Sequence, residues 1–89
     1  MSELPQLEPG VMDVIAQHVN SAWARRVGGI LIGRPRDASV TIQAAIPADH
    51  VEEYGDEIAF LPLVWHKTYD VLIERYPGSR IVGWYHSHP

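Results

Sequence analysis

Hydrophobic positions along the chain change their period several times, and each period predicts a different element. Residues 1–8 show no period, so we expect a flexible lead-in there. From Pro9, which suits a first helical turn, apolar residues recur every three or four positions, as on one face of a helix. That stripe consists of Val11, Ile15, His18, Val19, Ala22 and Trp23. We expect His18 to be a partly buried edge residue rather than a metal ligand.

The next two apolar segments predict an antiparallel hairpin. The sequence V-G-G-I-L-I-G, residues 27–33, is too short for a typical helix and predicts a buried strand whose glycines mark close backbone approach. Residues 39–45 alternate apolar and polar side chains, as a half-exposed strand does. Between them, R-P-R-D at residues 34–37 has the composition of a turn.

The second half of the chain predicts a loop, a strand, a helix and a last strand. Residues 47–57 are acidic and polar and fit no Ca²⁺ loop pattern, so we expect a solvated loop, followed by a short strand over 58–61. Pro62 begins a helix that Pro77 and Gly78 end, with His66 exposed. The apolar stripe of this helix is Trp65, Tyr69, Leu72 and Tyr76. Residues 80–88 form the last strand, and the whole predicts an α+β sheet with helices packed on it.

Composition and charge exclude several classes of protein. The 89 residues are 46% hydrophobic and 20% charged, which is typical of one small globular domain or a part of one. A net charge of −4 argues against nucleic-acid binding, despite a cluster of Arg25, Arg26, Arg34 and Arg36. The absence of cysteine excludes disulfides and thiolate metal sites. We expect no signal peptide, no membrane association and a cytoplasmic location, because neither a basic-apolar leader nor a long apolar run is present.

The final residues, G-W-Y-H-S-H-P, have the most specific chemical meaning. Side chains i and i+2 of a strand share a face, so His86 and His88 stand side by side, about 7 Å apart along the backbone. At this spacing both imidazoles can reach one ion at roughly 2.0–2.1 Å. We therefore predict these two histidines as metal ligands, although H-x-H by itself is a weak indication.

The sequence R-I-V-G-W-Y-H-S-H-P resembles the signature strand of the JAMM/MPN family, which includes zinc-dependent deubiquitinating isopeptidases. G-G-I-L-I-G-R and F-L-P-x-x-W resemble the family's first strand and the start of its second helix, so the resemblance covers residues 11–89. It implies a cytidine-deaminase-like sheet flanked by helices, a zinc cofactor, and a protein or ubiquitin-like modifier as substrate. It also implies pairing with itself or with another MPN domain. We expect residues 9–89 to be a partial JAMM/MPN domain that lacks its C-terminal part.

The sequence departs from the family pattern at two points. In the family, zinc is held by H-x-H-P and the aspartate of a following S-x-x-D; His86 and His88 match, and no S-x-x-D follows them in these 89 residues. The family also has E-x-x-G-x-x-x-G, whose glutamate takes a proton from the zinc-bound water. Counting back from Gly29 and Gly33 gives Arg26, and a slip of one residue gives Arg25. A guanidinium has no acceptor and opposes a Zn²⁺ ion electrostatically.

Two functions remain open from the sequence. Arg26 favours a non-catalytic MPN-type module that acts by binding, whereas the intact H-S-H-P favours a zinc isopeptidase completed by downstream residues. Weaker candidates for a replacement base are Glu52, Glu53 and Glu57, and for a third ligand His50 or the same acids. For these residues alone we expect weak zinc binding, no cleavage, and association through an unpaired strand edge.

Overall fold

The computed structural model describes residues 6–21, 26–36, 39–48, 51–54 and 57–87. Four strands form one mixed sheet in the order β1-β3-β2-β6, and β4 and β5 form a separate antiparallel pair. This is an α+β fold with a mixed sheet flanked by two helices, as predicted. The elements are β1 (Gln6–Leu7), α1 (Val11–Ser21), β2 (Gly28–Arg36), β3 (Ser39–Pro47), β4 (Val51–Tyr54), β5 (Glu57–Phe60), α2 (Pro62–Arg75) and β6 (Arg80–His86).

The β2–β3 hairpin forms the centre of the sheet, and its antiparallel pairing confirms the prediction. β2 lies between β3 and β6, so both of its edges are hydrogen-bonded over residues 28–33. Ile30 and Ile32 are 0% exposed as a result. A strand that is covered on its edges and packed on its faces needs the unbroken apolar run that the sequence shows.

One predicted turn is a strand. Residues 34–36, expected as part of a turn, continue β2 and pair with residues 41 to 39 of β3. Proline at residue 35 is compatible with this because β6 begins opposite Gly33, so this end of β2 has a neighbouring strand on one side only. Residues 34–36 therefore lead to the hairpin turn as part of β2 and do not form it, while Asp37 lies outside the described residues.

Two further strands lie where the sequence predicted none. Gln6 and Leu7, placed in the lead-in, form β1, which runs parallel to β3. Its pairing is extended by the Glu8 N–H, which donates to the Ile42 carbonyl oxygen at 2.9 Å. Residues 51–54, placed in the acidic loop, form β4 against β5. A two-residue strand has no period to detect, and acidic residues are compatible with a hairpin that exposes one face to solvent.

Helix α2 packs on one face of the sheet with a buried face that overlaps the predicted stripe. Trp65, Leu72 and Tyr76 of that stripe are half-buried, and Trp65 packs against the core. The fully buried residues are Val64 and Thr68, and Tyr69 is 51% exposed, so the centre of the buried face is shifted by one residue from the prediction. Thr68 can occupy it because its hydroxyl donates to the Val64 carbonyl oxygen at 2.7 Å. His66 is exposed, as predicted.

The two helices lie on opposite faces of the sheet. Ile30 of β2 packs with Val64 of α2 in the core, together with Ala48. The neighbouring residue Gly29 pairs with Tyr85, whose hydroxyl contacts α1. Because consecutive residues of a strand point to opposite faces, α1 and α2 cover different sides. Neither of these two described helices is long and apolar enough to cross a membrane.

Candidate functional site

The end of β6 that carries the histidines lies beside the start of β2. Gly28 pairs with His86 in the antiparallel ladder. Beyond the ladder, the Ser87 N–H donates to the Val27 carbonyl oxygen at 2.9 Å, and the Val27 N–H donates to the Ser87 hydroxyl oxygen at 3.0 Å. The pairing therefore continues one residue past β6 and fixes residue 27 opposite residue 87.

The predicted base position lies at the same end of the sheet as a predicted metal ligand. Arg26 directly precedes Val27, which is hydrogen-bonded to Ser87, the residue after His86. The His86 side chain is exposed and Arg26 is half-buried. His88, the second predicted ligand, lies outside the described residues.

Of the two predicted zinc ligands, the described residues include His86 alone, whose side chain is exposed to solvent. Within residues 6–21, 26–36, 39–48, 51–54 and 57–87, no group of three or more histidine, aspartate or glutamate residues could hold a metal ion. A catalytic zinc takes about three protein ligands. Glu52 is exposed on β4 and belongs to no such group; His50 and the side chains of Glu53 and Glu57 lie outside the description.

A contact that sequence reasoning missed joins β6 to α1. The Tyr85 hydroxyl and His18 Nδ1 are hydrogen-bonded at 2.8 Å. The two rings also meet edge to face, with centroids 5.9 Å apart. Burial raises the pKa of Tyr85 to about 12, so the phenol keeps its proton well above neutral pH. The helical stripe correctly indicated that His18 is partly buried, but no local pattern identifies a partner 67 residues away.

The two glycines of the G-x-x-x-G pattern allow neighbouring strands to approach β2. A Cβ atom on Gly29 would lie 2.5 Å from the hydroxyl oxygen of Tyr85, whose ring covers this glycine. A Cβ atom on Gly33 would lie 2.6 Å from the Thr41 carbonyl oxygen and 3.0 Å from Val82 Cγ2. The register against β3 shifts between Ile32 and Gly33, and the register against β6 shifts between Leu31 and Ile32, as at β-bulges. The spacing of the pattern thus has a steric cause.

Comparison with known proteins gives two matches. A family model described as JAB1/Mov34/MPN/PAD-1 ubiquitin protease matches residues 3–89. An NAD(+) hydrolase TcpA of Theionarchaea archaeon (strain DG-70-1) is 31% identical over 64 residues, which make up 72% of this chain and 18% of that protein. The chain therefore corresponds to less than a fifth of the length of that relative.

Proposed function

Because this chain belongs to the JAB1/Mov34/MPN/PAD-1 family, we propose that it acts as an MPN-type module that binds a protein or a ubiquitin-like modifier without cleaving it. The observation that carries this proposal is Arg26, which lies where the family has its general base. What supports the assignment is that Arg26 precedes Val27, which is hydrogen-bonded to Ser87 beside His86.

An arginine at this position opposes catalysis in two ways. Its guanidinium stays protonated at any working pH and has no acceptor, so it cannot take a proton from water. Loss of a general base typically lowers the rate by roughly 10²–10⁴. Its positive charge also repels a divalent cation held by His86.

We propose His86 and His88 as the residues that would hold zinc. A bound zinc would supply Lewis-acid chemistry at this end of the sheet. Two imidazoles are fewer than the three or four ligands of stable zinc sites, so we expect weak binding by this chain alone. Calorimetric titration with Zn²⁺ at neutral pH measures this. Tight one-to-one binding that is lost in His86→Ala would reveal a further ligand, such as His50 or an acid of residues 52–57.

An active zinc isopeptidase is the alternative function, and the retained pair of histidines favours it. A module that only binds proteins has no chemical need for two imidazoles that converge on one ion. In this alternative, native residues after Pro89 would provide the aspartate of S-x-x-D, and a carboxylate other than residue 26 would act as base.

The experiment that separates the two functions uses a chain that includes any native residues after Pro89. Cleavage of an isopeptide-linked ubiquitin dimer is measured with and without added Zn²⁺. Our proposal predicts little turnover with Arg26 in place, and an increase in Arg26→Glu. The matched control is Arg34→Glu, which makes the same charge change in β2 several residues from the Gly28–His86 pair and should leave turnover low. Zinc-dependent cleavage by the protein with Arg26 would refute the proposal.

A further inference from the structure

We propose that Ser87 is a positioning residue whose side chain fastens the end of β6 to β2 and so holds His86 in register with residue 26. This inference rests on the proposed function only in assigning His86 to the site. The hydrogen bonds around Ser87 carry it, since they join two segments of the chain 60 residues apart.

The Ser87 side chain replaces a main-chain acceptor. In an antiparallel sheet, two residues of a hydrogen-bonded pair exchange both of their N–H···O bonds. Val27 and Ser87 make one of these bonds through the backbone, from the Ser87 N–H to the Val27 carbonyl oxygen. The return bond from the Val27 N–H goes to the serine hydroxyl oxygen at 3.0 Å. The Ser87 side chain thus takes the role that a main-chain carbonyl group has in a regular hydrogen-bonded pair.

The donor in this bond cannot easily find another partner. Val27 is 3% exposed, so its N–H has little access to water. A buried N–H without an acceptor is costly, which gives the serine hydroxyl a defined task. Serine and threonine supply such an oxygen on a short side chain, whereas alanine supplies none.

A second attachment lies two residues earlier, on the face of the sheet opposite to the His86 side chain. The Tyr85 hydroxyl is hydrogen-bonded to His18 of α1 at 2.8 Å. His86 lies between the two attached residues, and its exposed side chain points away from the face that Tyr85 covers. The backbone of His86 is therefore held by an attachment before it and one after it, while its side chain is exposed to solvent. Groups that orient a metal ligand in this way commonly affect metal affinity without touching the ion.

The test compares Ser87→Ala with Ser87→Thr in the complete chain, by NMR hydrogen exchange and by zinc titration. In Ser87→Ala we expect the Val27 amide to exchange at least about tenfold faster, and zinc binding to weaken by about tenfold. In Ser87→Thr both should stay near wild type, because the acceptor oxygen is kept. The Ile30 amide reports global stability, so exchange at Val27 is compared with exchange at Ile30 in each protein, and in Ser87→Ala the Val27 amide should be accelerated more than the Ile30 amide.

The outcomes of this test separate the inference about Ser87 from the assignment of His86 as a zinc ligand. Unchanged exchange of Val27 in Ser87→Ala overturns the inference, as does faster exchange with unchanged zinc affinity. A wild-type chain that binds no zinc would refute the ligand assignment of the proposed function, and the Val27 exchange would then decide on the attachment alone. If Ser87→Ala does not fold, Ser87→Cys keeps the size and weakens the acceptor, and the same comparison applies.

Discussion

Three glycines of the central sheet differ in the space next to their Cα atoms, and we predict that alanine has a different effect at each. At Gly33 a new Cβ would lie 2.6 Å from a backbone carbonyl oxygen of β3. At Gly29 it would lie 2.5 Å from the hydroxyl of Tyr85, the end of a side chain. At Gly83 the nearest atom, Leu31 Cδ1, is 3.9 Å away, which is an ordinary contact.

These distances set the order of the stability changes. Gly33→Ala forces the backbone of β3 to move, and overpacking of this kind costs about 1–3 kcal/mol. Gly29→Ala displaces only the Tyr85 ring, so we expect about 1 kcal/mol, close to the value of the hydrogen bond lost with His18. Gly83→Ala meets nothing closer than 3.9 Å and reduces the entropy of the unfolded chain, so it should be neutral or stabilise by up to about 1 kcal/mol.

Urea unfolding followed by tryptophan fluorescence measures all three variants on the same scale. In a domain of this size, 1 kcal/mol corresponds to a shift in Tm of about 4–8 °C, so thermal unfolding gives an independent check. The double variant Gly29→Ala/Tyr85→Phe should lose less stability than the two single variants lose in total, because both changes break the same hydrogen bond to His18. Equal destabilisation by alanine at Gly33 and Gly83 would contradict the steric argument.

Three further predictions concern a titration, a buried hydroxyl and assembly. Burial raises the pKa of Tyr85 from 10.0 to about 12. The protonated phenol therefore contributes its full stabilisation below pH 10, and this stabilisation is lost as the pH rises towards 12. In Tyr85→Phe the urea midpoint should depend less on pH between pH 10 and 12. Thr68→Val should keep near wild-type stability, since the Val64 carbonyl oxygen retains its helical N–H donor, whereas Thr68→Ala leaves a cavity and should lose about 1–2 kcal/mol in the same assay. In the described part of the chain β6 pairs with β2 alone and Trp84 is 65% exposed, so we expect a dimer or higher oligomer by light scattering at micromolar concentration, and a 10.0 kDa monomer would contradict this.

Sequence patterns predicted the elements whose burial follows from their own residues. The run that contains Ile30 and Ile32 is apolar because this part of β2 is paired on both edges and buried. The start of α2 was predicted from Pro62, and the helix begins there. The patterns failed where pairing with a distant segment decides the structure. Gln6 and Leu7 become a strand only because they pair with the edge of β3. Pro35 is tolerated in β2 because β6 begins opposite Gly33 and does not extend alongside residue 35.

In the candidate site, too, local sequence patterns predict some features and pairing with distant segments decides the others. The period of a strand predicts that His86 and His88 share a face, and of these two residues the structure describes His86, at the end of β6. The contacts that hold this end of β6 depend instead on its register against β2 and on the position of α1. Ser87 and Tyr85 each bond a residue at least 60 positions away, and no local pattern contains that information.

The interpretation of Arg26 depends on the register of the glycine pattern, and the structure gives that register a physical basis. Gly29 and Gly33 each stand where a side chain would collide with Tyr85 or with β3, so neither position of the pattern can be moved along β2 without a clash. Counting back from these two glycines gives residue 26. The preceding residue is also an arginine, Arg25, so a slip of one position would again place a guanidinium there. The proposal that this chain has no carboxylate at the position of the family's base therefore holds for either register of the pattern.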